Sequence, residues 1–212
     1  MPNKSLEEKL REGRTYREME IRALDEEQNE SLVEGYATTF NEPYTLYSEP
    51  GYVFEEVVDP AAFDNTDMGD VIMQYDHQGR VFARKSNGTL RLFVDDHGLK
   101  VRADLGGTEI GRQLYQEIRG GYTTKMSFGF TVDKDSMERD ERDNVIKVTR
   151  RLLSIKKLFD VSAVSLPAND MTEISARQLG EGVIAEIKEE IHQQKEREKQ
   201  RTEILARIKK EV

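Results

Sequence analysis

Cysteine is absent from the 212 residues. That excludes disulfides, thiolate metal sites and cysteine nucleophiles. Histidine is scarce, so any imidazole chemistry must fall on His77, His97 or His192. No apolar run approaches the ~18–20 residues that span a bilayer. The opening "MPNKSLEEKLREGRTYREME" is charged throughout and lacks the apolar core of a secretory signal. A basic excess is also missing: 32 Lys and Arg stand against 41 Asp and Glu, a net charge of −9. That balance argues against a general nucleic-acid binder, which must neutralise phosphate. No dinucleotide fingerprint or phosphate loop is present. "LGGTEIG" lacks the lysine–serine/threonine pair of a nucleotide loop and reads as a turn before a helix. The expectation is a soluble, intracellular protein that needs no cofactor and has no membrane partner.

What is present divides by composition into three zones. Residues 1–16 are a charged N-terminal arm. Residues 17–178 hold every phenylalanine and tyrosine except Tyr16, together with all the strand-like runs. Residues 179–212 have no aromatic residue and form a charged tail. In the middle zone, "EIRALD", "LVEGYATTF", "YVFEEVVDPAAF" and "VIMQYDH" read as strands. "VFARKSNGTLRLFVDDHGLKVRADL" reads as a three-strand meander turning at Asn87-Gly88 and His97-Gly98. Ile110, Leu114 and Ile118 then recur at helical spacing, after a Thr108 cap and before Gly120-Gly121. "TTKMSFGFTVD" returns to strand, "DKDSMERDERDN" reads as a charged loop, and "VIKVTRRLLSIKKLFDVSAVSLPAN" as one long bent strand or two shorter ones ending near Pro167. The prediction is a β-rich α+β fold, a barrel or sandwich decorated by helices. In the tail, Val183, Ile187 and Ile191 form a sparse apolar stripe that needs a partner to be stable.

Three residues carry the chemical question. Side chains alternate along a strand. Met126, Phe128, Phe130 and Val132 therefore share one face, and Ser127, Gly129 and Thr131 the other. The small polar face leaves room for a ligand, although an ordinary exposed sheet has the same pattern. A nucleophilic serine needs a base. His192 lies in the charged tail and His97 in a turn, whereas His77 ends "VIMQYDH", on the face of Val71, Met73 and Tyr75. Histidine ionises near neutral pH without heavy tuning. A third group must orient the imidazole. Asp160 interrupts the otherwise apolar or small "LFDVSAVSLPAN", where an unpaired acid is costly unless it points outward from an edge strand. Asp76 is a poorer third member, since neighbouring strand residues face opposite ways. Asp76, His77, Asp95, Asp96 and His97 offer metal-binding atoms but no compact ligand motif, so no metal is expected.

In order along the chain, "EGYATTFNEP", "FEEVVDPAAF", "YDHQ", a helix, "KMSFGF" and "LFDVSAVSLPAND" resemble the prohead maturation proteases of tailed bacteriophages, a family related in fold to herpesvirus assemblin. The resemblance spans roughly residues 17–175. It implies an assemblin-like β-barrel core and a serine endopeptidase with Ser127 as nucleophile, His77 as base and Asp160 as the acidic third member, where relatives often carry glutamate. It implies as substrate the major capsid protein or its scaffolding domain, cut inside the immature prohead in the host cytoplasm. Self-cleavage would make the charged ends removable arms, and a homodimer is an associated expectation. The alternatives are a catalytically silent scaffolding protein of the same fold and a metal-dependent hydrolase.

Overall fold

The computed structural model describes residues 15–24, 31–165 and 170–211. The charged segment 1–14 and the Pro167 strand end lie outside them. Ten strands and two main helices follow in chain order: β1 (Thr15–Ala23), β2 (Leu32–Thr39), β3 (Tyr44–Glu49), β4 (Tyr52–Val58), β5 (Ile72–Tyr75), β6 (Gln78–Arg84), β7 (Leu90–Val94), β8 (Gly98–Asp104), α1 (Glu109–Arg119), β9 (Lys125–Arg142), β10 (Val145–Val164) and α2 (Asp170–Glu211). The β-rich α+β class is as expected. The hydrogen-bonded order is β3-β4-β10-β9-β1-β2-β8-β7, with β5 on β10 and β6 on β5. Among the described residues no ladder joins β3 to β7, so this path is an open sheet. Its bend falls in β1, which pairs with β9 through Thr15–Glu20 and then with β2 through Ile21–Ala23.

The main core lies between the two parts of this sheet. Val33, Ala37, Leu99, Val101 and Ala103 from one part meet Met73, Met126, Phe128, Phe130, Leu158 and Val161 from the other. Phe128 and Phe130 stack with ring centroids 4.6 Å apart. The backbones approach closely where β1, β2 and β9 meet. A Cβ on Gly35 would collide with the Glu20 carbonyl and press on Met126 Sδ, so only glycine fits there. Helix α1 closes one end of the core with Leu114, Tyr115 and Ile118. As the sequence predicts, Thr108 caps it by accepting a hydrogen bond from Gly111 N at 3.0 Å.

Strand β10 is the axis of the sheet. Along one edge it pairs in parallel with β4, through Ile146–Leu152, and then with β5, through Asp160–Ala163. Along the other edge it runs antiparallel to β9 for almost its whole length. Register shifts between Leu152 and Asp160 mark bulges that bend it. Two expectations differ here. The charged "DKDSMERDERDN" is not a loop: β9 runs through it to a two-residue turn at Asp143-Asn144, both at positive φ. Such turns match strand twist, and asparagine and aspartate tolerate the conformation. The β-branched start of β10 then supplies a partner for the charged strand. Within this region Arg150 is fully buried and bonds Glu56 at 3.1 Å and Asp135 at 2.6 Å. The three-strand meander is also incomplete. Strands β7 and β8 form a hairpin, but β6 pairs with β5, and the Asn87-Gly88 turn hands the chain between sheet parts.

Helix α2 packs on the sheet from Leu179 to Ile191. Leu179, Val183, Ile184 and Ile187 pack on Phe54, Ile146 and Val148, with Ile191 at the margin. The apolar stripe thus finds its partner within the same chain. Residues 192–204 are exposed. Among the described residues no helix is long and apolar enough to cross a membrane.

Candidate active site

Strand register places Ser127 and Asp160 on neighbouring strands. In β9 and β10, Ser127 pairs with Ser162, Phe128 with Val161 and Gly129 with Asp160. Because faces alternate, Ser127, Gly129, Asp160 and Ser162 share the face opposite the core, while Phe128 and Val161 enter it. The bulky side of β9 holds the strand against the core and the small side leaves Ser127 on a fixed floor. Neither alternative placement applies. Ser127 is 3 % exposed, so this is not an open sheet surface, and Asp160 is 1 % exposed on a central strand, not an edge.

His77 reaches Asp160 by a different route from the one its sequence suggests. Strand β5 ends at Tyr75, and β6 begins at Gln78 with those two residues paired. Asp76 and His77 are the two central residues of this turn, with φ of 49° and 57°. Positive φ at both positions is the geometry of a type I′ hairpin. Val71 and Met73 point into the core as the alternation predicts. The turn re-aims His77 away from their face, and its Nδ1 lies 2.5 Å from Asp160 Oδ1. Both side chains are largely buried. With Nδ1–H donating to the carboxylate, Nε2 is left as the basic nitrogen.

Asp76 has a separate part. Its backbone N donates to Ala163 O at 2.9 Å, and its carboxylate accepts from Ser165 N at 2.9 Å and from Ser165 Oγ at 2.9 Å. Both turn residues are thereby fastened to the end of β10, Asp76 through Ala163 and the following Ser165 and His77 through Asp160. At the far end of the hairpin, Arg84 donates to both oxygens of Asp70, with Nε 2.9 Å from Oδ1. The guanidinium holds the Asp70 carboxyl down at about 2. A groove of about 590 Å³ opens beside the turn, between Asp76, Arg80 and Phe82 of the hairpin and Ile110, Leu114 and Glu117 of α1.

Ser162 was not singled out by sequence. Its Oγ donates to Asp160 Oδ1 at 3.0 Å. The available signal was its i, i+2 spacing from Asp160 within a strand. The other histidine–acid cluster is engaged locally: Asp95 accepts from His97 N, Gly98 N and Tyr36 Oη, and His97 packs edge-on against Tyr36. Among the described residues no group of three or more His, Cys, Asp or Glu gathers as a metal site.

Comparison with known families finds a match to a family described as caudovirus prohead serine protease, over residues 17–183. Comparisons with curated proteins and with solved structures return no match.

Proposed function

Since the chain belongs to the caudovirus prohead serine protease family, we propose that it is an endopeptidase in which Ser127, His77 and Asp160 form the catalytic triad. The observation that carries this reading is the 2.5 Å His77–Asp160 contact on the face where Ser127 pairs with Ser162. In the proposed reaction Ser127 Oγ attacks the peptide carbonyl as His77 Nε2 takes its proton. Asp160 fixes the tautomer and balances the imidazolium as it forms. His77 then protonates the departing amine, and water releases the acyl group by the reverse sequence of proton transfers.

The proposed substrate is the major capsid protein or its scaffolding segment, cut within the immature prohead in the host cytoplasm. Self-cleavage is proposed for the same site. Loss of the whole segment from residue 179 would uncover Phe54, Ile146 and Val148, on which Leu179 and Ile184 pack. A self-cut that leaves the body intact falls beyond Ile191, where the helix is exposed.

The test is co-expression of Ser127→Ala with the capsid protein of the same phage. Loss of capsid cleavage and of fluorophosphonate labelling, with an unchanged circular dichroism spectrum, is the expected result. Cleavage at the wild-type rate by this variant would refute the assignment and favour a silent scaffold.

A further inference from the structure

We propose that Ser162 is a positioning residue that locks the Asp160 carboxylate toward His77; this rests on the triad reading above. Ser162 is fully buried. A buried hydroxyl is costly unless its hydrogen bond is made. It donates to Asp160 Oδ1, the same oxygen that lies 2.5 Å from His77 Nδ1. The other carboxylate oxygen, Oδ2, is buried and has no hydrogen-bond partner among the described residues. Among the described residues Asp160 is therefore held through Oδ1. With His77 alone on that oxygen, the carboxylate could swing about its last torsion, a broad and soft one. A second donor from a different direction removes that freedom.

The strand supplies this donor in fixed geometry. Ser162 is two residues from Asp160 on a ladder flanked by β5 and β9, paired with Gln74 on one side and Ser127 on the other. Its position opposite Ser127 also demands a small side chain. Serine meets both requirements, since it is close to alanine in size and carries a donor. Because its hydroxyl is engaged by Asp160, Ser162 is not the nucleophile even though it neighbours Ser127.

The experiment follows acylation of the full chain by a fluorophosphonate over a range of probe concentrations. Wild type is compared with Ser162→Ala, Ser162→Cys and Ser127→Ala. Cysteine keeps a single γ atom, somewhat larger than the oxygen, but is a weak donor. In both Ser162 variants the maximal acylation rate should fall about tenfold at unchanged half-saturating concentration, as expected for loss of about one charge-assisted hydrogen bond. The downfield proton resonance of His77 Nδ1 should move upfield in both. A cysteine variant with the wild-type rate and resonance would overturn the proposal, because volume and not donation would then matter. Wild-type acylation by Ser127→Ala would instead refute the underlying triad. Labelling lost in Ser162→Ala but kept in Ser127→Ala would make Ser162 the nucleophile and overturn both.

Discussion

Replacing Asp160 by asparagine separates charge from shape. The side chain keeps its outline, and an amide oxygen at the Oδ1 position still accepts from His77 and Ser162. What disappears is the negative charge beside the imidazolium that forms, in the proposed reaction, as Ser127 attacks. The Nδ1–Oδ1 distance is 2.5 Å, and both side chains are largely buried. Taking group charge centres about 4 Å apart and an effective dielectric near 20, the lost attraction is about 4 kcal/mol. A barrier raised by that amount slows acylation by roughly 10³-fold. The fold should change little, because the desolvation cost a neutral amide escapes relative to a buried carboxylate offsets the amide nitrogen left without a partner at the Oδ2 position. The assay pairs fluorophosphonate acylation rates with thermal melting of the same samples. A large loss of rate with little change in Tm is the expected outcome. A loss below tenfold in folded protein would refute the claim that Asp160 balances a charge on His77.

Two further predictions concern the supports of the site. The Arg84 guanidinium holds the Asp70 carboxyl at about 2 in the folded protein, below its ordinary value of about 4 in the unfolded chain. Its stabilising effect is therefore present above that ordinary range and lost as pH falls toward 2. The Tm gap between wild type and Asp70→Asn should narrow over that window, and a gap constant from pH 6 to pH 2 would contradict the linkage. Gly180→Ala should destabilise, although alanine is ordinarily favoured over glycine within a helix by about 1 kcal/mol. The added Cβ would collide with Tyr47 Cβ, which cannot swing aside as a side-chain tip can. A Tm above that of wild type would show that α2 can shift on the sheet at no cost.

The local rules of strand and helix were legible where the hydrophobic pattern was strong. Helix α1 could be read from Thr108 to Gly120 because cap, stripe and stop agreed. The faces of "MSFGF" could be read because Met126, Phe128 and Phe130 are all large. The direction of His77 could not. Type I′ turns usually announce themselves with glycine or asparagine, whereas Asp76-His77 looks like the end of a strand. The charged ribbon of β9 was hidden for a similar reason, since its strand character comes from pairing with β10 and not from its own residues. Strand β3 carries too short and mixed a pattern to stand out alone, and the pairing of β6 with β5 in place of β7 is a tertiary choice. Ser162 was visible by spacing, but only the register showed it opposite Ser127.

The parallel pairing of β5 with β10 has a consequence for when the enzyme can act. His77 and Asp160 are 83 positions apart in the chain. Parallel pairing over such a span is slow to form and cannot begin until the later strand exists. During synthesis, a nascent chain that has exposed Ser127 and His77 still has no acid and no strand against which to fasten the turn. The proposed peptidase is therefore idle on the ribosome. Under that proposal, activity arrives with the last strand of the sheet, when the body it could digest has already been built.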